Sequence, residues 1–532
     1  MYHYQEGVSG KNSVFYSGGA FVQVVRALHQ SGIAQHPHPE VMMLYLDISV
    51  RYAKILGGKE AGRERRDSSN NVDFNAINAN QQVLEVSQEL KEQMIMSVLD
   101  CVGAGLGHGE KNIRSRTCYL LVRFVKAMGD GLACLMDRAV GGIQGLLSAN
   151  RVANYTLISV DDGNYLFEAI GQLINMESLS TEAKADQLSN FVMPQVLSIK
   201  EVLADPGTTP SSSAAITVSV LIGTIANLSK GFKSKDRFSP EMSAIFGHAL
   251  NTTMAALFAL PSDLVIRAKS MVLIHRMIFL LEEETVLSYL PMFLNLLVTN
   301  CVEDDLPEVV SLMNQILVKF QGKVFTAVDG ILQPFLRHCM ELAPDTASGQ
   351  GSSSQIKVQA MSVKKLYMLF LSFLVTNGCT NVLVSSTNKG MFPNVLNAMV
   401  DGLFLPDFAV NKTALLFFIK ICQFDFSIGV DGCAECYGMY WQFIVDNVMT
   451  SVIRMMTDKR FNIKDAMCSR VVGEVASLFH IVRDQKTAEF EAFVKALAEY
   501  SGAKCGESTE KFVVSGSEGE MKAAIMQFLK AL

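Results

Sequence analysis

The feature that most constrains the fold is an amphipathic helical pattern that recurs along the whole chain. Between Leu306 and Phe320, apolar residues return every three or four positions and mark one face of a helix. Helices of this kind begin roughly every 20–25 residues, so a helix pair repeats about every 40–50 residues, the period of HEAT repeats. No convincing run of strand-like alternation occurs. The sequence predicts an all-α fold, a HEAT-repeat α-solenoid of about eight to ten antiparallel helix pairs.

The same apolar spacing predicts further helices along the chain. They cover residues 40–56, 83–102, 113–128, 160–175, 271–281, 358–375, 412–424, 442–456 and 463–481.

Three polar segments interrupt the pattern, at residues 57–82, 204–213 and 344–355. Their compositions are rich in Asn, Gly, Ser and Pro and cannot bury enough apolar surface to offset the entropy of ordering, so we expect disordered insertions between helices. The helical pattern resumes after each one. We therefore expect one HEAT-like array over 40–532, preceded by a partial repeat or linker over 1–39. No polar capping repeat precedes the first strong helix, so we also expect a piece of a longer array.

Composition narrows the class of protein. The chain has 532 residues, 49% of them hydrophobic and only 18% charged, which suits helices that pack on two sides. A net charge of −6 argues against a generally basic nucleic-acid binder but allows a local basic stripe. The 11 scattered cysteines, with no apolar signal at the amino terminus, predict reduced thiols in the cytosol or nucleus.

We expect no membrane insertion. The apolar stretch at residues 214–228 is shorter than the roughly 20 residues that a bilayer requires. The stretch at 285–302 contains Pro291, which we expect to interrupt it. Both stretches are typical of core helices in an array of this kind.

Two motifs suggest a nucleotide or metal site but depart from the required patterns. The glycine-rich run 103–111 ends in a lysine followed by Asn112, not by Ser or Thr, and follows a predicted helix where a phosphate loop follows a strand. We interpret it as an interhelix turn. Cys433 and Cys436 have metal-ligand spacing, but structural zinc requires four ligands and no second pair occurs. Two reduced thiols are the simpler interpretation.

The histidines and carboxylates elsewhere match no recognisable metal-binding or catalytic pattern. His29, His36 and His38 lie around a Pro-containing turn without a Cys or carboxylate at ligand spacing. The three consecutive glutamates at 282–284 point in different directions on a helix, so they cannot act together on one bond. We predict no catalytic residue, no metal and no cofactor, and therefore not an enzyme.

A cluster of basic residues is the strongest candidate site. Five cations lie within sixteen residues: Lys111, Arg114, Arg116, Arg123 and Lys126. On a helix, Arg116 and Arg123 are nearly eclipsed and Lys126 is adjacent to Arg123. Arg114 lies on the other flank, where HEAT repeats commonly place an arginine that bonds neighbouring repeats. We therefore expect a structural role for Arg114 and either phosphate contact or ordinary solvated charge for the others.

Several short stretches of the sequence resemble motifs of the exportin-T family and occur in the same order along the chain. They are Val50-Arg51-Tyr52-Ala53-Lys54, the run from Val98 through Lys111-Asn112-Ile113-Arg114-Ser115-Arg116 to Lys126, Ser159-Val160-Asp161-Asp162, Glu168-Ala169-Ile170-Gly171, His275-Arg276-Met277-Ile278 and Met313-Asn314-Gln315-Ile316. These matches extend from about residue 10 to about residue 325, and beyond them only the helical pattern supports the resemblance.

The resemblance implies a nuclear export receptor of the importin-β superfamily that shuttles between nucleus and cytoplasm. Its implied partners are mature tRNA, Ran-GTP and nuclear pore proteins. Together with the arrangement of the cations, the resemblance leads us to expect that Lys111, Arg116, Arg123 and Lys126 contact tRNA phosphates. An A-form duplex exposes its backbone and hides its major-groove edges, so contact through phosphates suits it. From the resemblance we also expect that the family's amino-terminal repeats, which carry its main Ran-binding surface, have no counterpart in this sequence. The alternative is another karyopherin, or a HEAT-repeat scaffold, that binds protein cargo without RNA.

Overall fold

The computed structural model describes residues 27–57, 88–152, 159–204, 212–232, 238–343, 354–427, 433–501 and 503–532. Within these ranges the secondary structure is helical and contains no strand. The all-α prediction is therefore confirmed. When the two helices joined by a π-helical turn are counted as one and the four-residue helix Thr380–Leu383 is set aside, the described helices from Gln88 to Gln485 follow one another as eight pairs. These pairs begin at intervals of roughly 50 residues, which agrees with the HEAT period, and three further helices follow them.

The chain divides into two compact units, and the first comprises Met1–Glu282. Its helices are α1 (Pro39–Gly57), α2 (Gln88–Leu106), α3 (Lys111–Met128), α4 (Met136–Val152), α5 (Val160–Ile174), α6 (Thr181–Ala204), α7 (Ser212–Ser229), α8 (Pro240–Ala259) and α9 (Leu264–Leu280). The odd-numbered helices lie side by side in one layer, in chain order. Each even-numbered helix packs against the odd-numbered helix that follows it, and α6 also packs on α8.

The second unit, Glu283–Leu532, has the same plan. Apart from a four-residue helix at Thr380–Leu383, its helices are α10 (Glu283–Thr299), α11 (Leu306–Phe320), α12 (Phe325–Leu342), α13 (Ser354–Thr376), α14 (Phe392–Gly402), α15 (Phe408–Cys422), α16 (Cys433–Phe443), α17 (Met449–Met456), α18 (Ala466–Gln485), α19 (Thr487–Ser501), α20 (Ala503–Val514) and α21 (Glu518–Ala531). A π-helical turn joins α16 to α17. One layer consists of α11, α13, α15, α18 and α21.

Side-chain caps fix where many of these helices begin. Asp263 accepts hydrogen bonds from the backbone N–H groups of Val265 and Ile266, so α9 starts at Leu264, seven residues before the predicted stretch at 271–281. Other helices begin after a capping Ser or Asp at Ser159, Ser239, Asp407, Asp465 and Ser517. These short polar side chains satisfy backbone donors that have no partner inside the helix.

The core consists of Leu, Ile, Val, Met and Phe side chains between the layers of each unit. Eight cysteines in the described ranges are free and buried: Cys101, Cys118, Cys301, Cys339, Cys379, Cys422, Cys436 and Cys468. Burial raises the pKa of the Cys101, Cys118 and Cys339 thiols to about 12. These cysteines therefore pack as small apolar groups.

Two sequence expectations differ from the structure. Pro291 does not interrupt its segment, because α10 continues through it; α6 and α12 likewise contain Pro194 and Pro334. Packing against neighbouring helices compensates for the hydrogen bond that each proline removes. The predicted insertions lie largely outside the described residues, although the described residues at their edges, including Gly57, Ala204, Ser212 and Ser354, are helical.

Among the described helices, one stretch has the length and hydropathy required to cross a membrane, at Val358–Thr376 within α13. Half of it is buried inside the protein. Core helices of soluble proteins meet the same criterion of length and composition.

Candidate nucleic-acid interface

Helix α3 carries the four cations that the sequence analysis selected. It follows a short turn after α2, and α2 continues through Gly103 and Gly105 to Leu106. The glycine-rich run is thus part helix and part turn. Its glycine at 105 has a packing role, since a Cβ there would overlap with the side chain of Thr117 on α3. This close approach of α2 and α3 is what requires glycine.

One face of α3 is buried between α1 and α5, and the opposite face is solvent-exposed. The exposed positions Arg116, Tyr119, Arg123 and Lys126 are separated by three, four and three residues. They therefore form one stripe along the helix, about 15 Å long. We call these four residues the α3 stripe. Helix α3 contains no Asp or Glu, so its outward charge is entirely positive.

An aromatic ring lies within the stripe. The Arg123 guanidinium carbon is 5.7 Å from the centroid of the Tyr119 ring, and Arg123 Nη1 lies 3.3 Å from the Tyr119 hydroxyl. Tyr119 also meets Tyr165 of α5, with ring centroids 5.8 Å apart and planes at 75°. Both tyrosines remain partly exposed, at 42% and 37%. The stripe therefore combines cations with an accessible aromatic surface.

The cations of the α3 stripe form no ion pair with any carboxylate in the described ranges. Cations elsewhere commonly pair with an acid on a neighbouring helix. Lys365 Nζ is 2.7 Å from Asp407 Oδ2, and Lys412 Nζ is 3.2 Å from Glu474 Oε1. The α3 stripe is therefore chemically available to an anionic partner.

Lys111 does not belong to this stripe. It is the first residue of α3, five positions before Arg116, and it points to a different side. It is exposed at the positive end of the helix dipole, where a cation does not stabilise the helix. The structure thus brings together three of the four predicted cations and leaves Lys111 at the end of the helix.

Arg114 has a structural role, with a partner different from the expected one. Its Nη1 donates to the carbonyl oxygens of His108 and Gly109 at 2.7 and 2.8 Å, within its own helix pair. The expectation was a bond to a neighbouring repeat. The carbonyls of the tight α2–α3 turn have no helical partner, so they attract this guanidinium.

Neighbouring repeats are connected instead through Ser115 and Asp162. The Ser115 hydroxyl on α3 donates to the buried Asp162 carboxylate on α5, and the Ser159 hydroxyl donates to Asp162 at 2.6 Å. The Asp162 N–H in turn donates to Ser159 Oγ, 3.2 Å away. This network fixes the relative position of α3 and α5, and with it the relative position of Tyr119 and Tyr165.

Sequence reasoning missed the two tyrosines. Tyr119 could have been found, because it lies three residues after Arg116 and four before Arg123 on the same helix face. Tyr165 could not, because its position beside Tyr119 depends on how α5 packs against α3.

The other candidate residues have local partners. His36 Nδ1 accepts a hydrogen bond from the His38 N–H at 3.1 Å, and His38 Nδ1 accepts one from the Glu40 N–H at 3.3 Å. Glu283, in the first turn of α10, lies 2.7 Å from Lys323. Across the described part of the chain, no three His, Cys, Asp or Glu side chains are grouped closely enough to hold a metal ion.

A family model for exportin-T matches residues 86–531. The chain belongs to the exportin-T family. The match continues well beyond residue 325, where the short sequence words end. Helices α3 and α5, with their exposed stripe, lie inside the region that this exportin-T match covers.

Relatives in distant organisms support the exportin-T assignment. The chain is 22% identical over 505 residues to exportin-T of Pongo abelii, covering 92% of this chain and 48% of that protein. It is 24% identical over 391 residues to exportin-T of Arabidopsis thaliana, covering 70% of this chain and 38% of that protein. The chain thus spans about half the length of the curated relatives it matches.

A solved structure supports the fold. Importin13 in its cytosolic state has a TM-score of 0.58 to this chain at 12% identity, with 96% of this chain and 52% of that chain covered. At this identity, the likeness shows a shared HEAT-repeat solenoid fold and nothing about ligands.

Proposed function

We propose that this exportin-T family member is part of a nuclear export receptor for tRNA. In this proposal it binds mature tRNA together with Ran-GTP, passes the nuclear pore by contact with pore proteins, and shuttles between nucleus and cytoplasm. It acts as a binding protein and not as an enzyme.

The observation that carries the RNA part of the proposal is the α3 stripe. Three exposed cations share one helix face that has no acid, and none pairs with a described carboxylate, whereas cations on other helices form ion pairs. Phosphate contacts supply much of the affinity of nucleic-acid binding, and they require cations that are not already neutralised.

The dimensions of the stripe favour recognition of the RNA backbone. It is one helix wide, and the neighbouring helix α5 carries the exposed Asp161 and the half-buried Glu168, which are both acidic. A stripe of this width contacts a few consecutive phosphates and does not distinguish one base sequence from another. Such contact suits A-form RNA, whose phosphates and 2′-hydroxyls are accessible while its major-groove base edges are not.

The experiment reverses the charge of the stripe with Arg116→Glu, Arg123→Glu and Lys126→Glu in one variant of the 532-residue chain, and leaves Arg114 intact. Binding is measured against several unrelated tRNAs at several salt concentrations, with and without Ran-GTP. Loss of up to three phosphate contacts lowers the slope of log affinity against log salt by about two. We expect a similar loss of affinity for every tRNA.

The matched control reverses three exposed cations on other helices, Lys200, Lys495 and Lys530, and changes the net charge equally. We expect it to retain most of the affinity and the full salt slope. If the two variants lost affinity for tRNA equally, the α3 stripe would contribute to binding only through the net charge of the chain. A wild-type chain that binds no tRNA, with or without Ran-GTP, would favour the protein-cargo alternative.

A further inference from the structure

Helix α9 is apolar on its exposed face as well as on its buried face. Apolar residues fill its core side, yet Val265, Val272 and Phe279 are 51%, 43% and 46% exposed. A helix that is apolar all round is typical of a position that is covered on every side. The exposed face of α9 therefore has the composition of a surface that another element covers.

This face has the residue spacing of a coiled-coil helix. Val265, Ala268, Val272, His275 and Phe279 follow one another at intervals of three, four, three and four residues. These are the a and d positions of a heptad, with the two valines and the phenylalanine at a. From its first to its last residue the row is about 21 Å long. We call these five residues the α9 seam.

The apolar surface continues onto α7, which packs beside α9. Gly223 of α7 lies beside the Lys269 side chain of α9. Further along both helices, the Ser229 carbonyl oxygen accepts a hydrogen bond from Arg276. The two helices therefore run in the same direction, and Ile216, two turns before Gly223, lies near the start of α9. Its side chain is 60% exposed and extends the apolar surface.

The charges beside the seam are positive. Helix α7 contains no charged residue, and α9 contains no Asp or Glu. Lys269 and Arg276 directly follow Ala268 and His275, so they occupy the e positions of the heptad. Arg276 is held by carbonyl oxygens at the end of α7 and is close enough to Glu168 of α5 to interact with its charge. Lys269 forms no ion pair with any carboxylate in the described ranges.

These charges favour one kind of partner. In coiled coils, the residues at e and g select the partner by opposite charge, so a helix that fits the α9 seam carries Asp or Glu beside its own apolar positions. A second copy of the chain fits less well, because two α9 seams would bring their cations together. RNA also fits less well, because valine offers neither a charge for a phosphate nor a ring for a base.

We propose that the α9 seam is a docking surface for an acidic amphipathic helix of a partner protein. The valines and Phe279 contact the apolar face of that helix at every second turn, and Lys269 pairs with one of its carboxylates. In the order of the layer, α5 and α7 separate this surface from the α3 stripe. The inference therefore does not depend on RNA binding.

The experiment uses the full 532-residue chain and three labelled helical peptides. Each peptide has three heptads with Leu at a and d, and each is kept below the concentration at which it self-associates. The e and g positions carry Glu in the acidic peptide, Gln in the neutral peptide and Lys in the basic peptide. By fluorescence anisotropy, we expect the acidic peptide to bind about tenfold more tightly than the neutral one, and the basic peptide to bind most weakly.

The first variant combines Val265→Asn with Val272→Asn. Because it removes two apolar contacts, we expect it to weaken binding of the acidic peptide about tenfold or more. Its matched control combines Val358→Asn with Val514→Asn, at valines of the second unit that are 69% and 77% exposed, and should bind as the wild type does. All four valines are exposed, so the melting temperature should stay close to that of the wild type.

The second variant, Lys269→Glu, tests the charge. We expect it to reverse the order of the peptides, so that the basic peptide binds more tightly than the acidic one. If Lys269→Glu leaves the preference for the acidic peptide unchanged, the charge beside the seam does not select the partner and the proposal is wrong.

Two further outcomes would overturn the proposal. In the first, charge reversal of the α3 stripe removes binding of the acidic peptide while Val265→Asn with Val272→Asn does not, which places the peptide on α3. In the second, the wild-type chain binds none of the three peptides, or sediments as a dimer that the valine variant dissociates. Binding of tRNA, measured in parallel on the valine variant, should equal that of the wild type, so failure here leaves the proposed RNA-binding function untouched.

Discussion

At the scale of single residues, the fourth position of several helices has a recurring role. Arg114 of α3, Arg267 of α9 and Asn411 of α15 each donate a hydrogen bond to the carbonyl oxygen six residues earlier, at His108, Pro261 and Leu405 respectively. Each of these bonds closes the turn that enters the helix. The residue type varies, but the polar donor and its geometry are retained in three repeats.

This role gives a stability prediction. Arg114→Met should lower the free energy of unfolding by about 2 kcal/mol, because two carbonyls lose a charged donor. Arg116→Met, two positions along on the exposed face, should change it by less than about 0.5 kcal/mol. Urea denaturation of the two variants measures both. Equal values would mean that the turn is held without the Arg114 hydrogen bonds.

His29 predicts a dependence of stability on pH. Its side chain is hydrogen-bonded to Tyr45, and burial lowers the pKa of His29 to about 4. Between the unfolded value near 6.5 and about 4, the unfolded chain binds more protons than the folded one. Stability from this group is therefore present above pH 6.5 and is lost as the pH falls toward 4.

The variant His29→Gln keeps a hydrogen-bonding group but cannot titrate. Melting temperatures measured between pH 7 and 4.5 should fall less steeply for this variant than for the wild type. Parallel curves for the two proteins would show that His29 titrates alike in the folded and unfolded chains.

At the scale of helices, two glycines allow α5 and α7 to approach closely. A Cβ on Gly171 would overlap with the Leu228 carbonyl oxygen, and one on Gly231 would overlap with the backbone of Gly171. Arg276 of α9 then binds the end of α7 by donating to the carbonyl oxygens of Ser229 and Phe232 at 2.9 and 2.8 Å. Backbone contact of this kind leaves no room for any side chain at Gly171.

Gly171→Ala should therefore lower the free energy of unfolding by about 1–3 kcal/mol through overpacking. Gly163, on the same helix, is the matched control, because a Cβ there meets no atom within 4 Å. Gly163→Ala should raise stability by about 0.5–1 kcal/mol through helix propensity. Thermal unfolding of the two variants measures whether each is less or more stable than the wild type. A neutral Gly171→Ala would imply that α5 and α7 move apart without cost.

Features that depend on the helical period, such as the residues that share a helix face, could be predicted from the sequence. Features that depend on how helices are capped and packed could not. Spacing alone placed Arg116, Arg123 and Lys126 on one face of α3. The start of α9 was missed because Asp263 acts as a cap ahead of the strongly apolar stretch. Several of the short sequence stretches that resemble exportin-T include residues that make contacts between helices, among them Asp162, Gly171 and Arg276. These contacts depend on how the helices pack, which one sequence without a structure does not reveal.

At the scale of the whole molecule, interactions connect each helix mainly with its neighbours in the chain order of a layer. Ion pairs follow the same rule in the second unit, where Lys365 of α13 pairs with Asp407 beside α15 and Lys412 of α15 pairs with Glu474 of α18. Stability in such an array is close to a sum of repeat and neighbour terms.

Local destabilisation should therefore stay local. In Gly171→Ala, amide hydrogen exchange should become faster in α5, α7 and α9, and should remain unchanged in α18 and α21. Gly163→Ala should not accelerate exchange at any of these helices. A uniform increase over both units would show that the chain opens as a single cooperative body.

The buried cysteines give this array a set of internal reporters. A thiol with a pKa near 12 is almost entirely protonated at neutral pH, so an alkylating reagent meets neither an accessible nor a nucleophilic sulfur until the surrounding helices separate. Cys101 and Cys118 report on the first unit, and Cys339 and Cys422 report on the second. The rate at which each one is alkylated thus measures how often its own repeat opens, without any engineered probe.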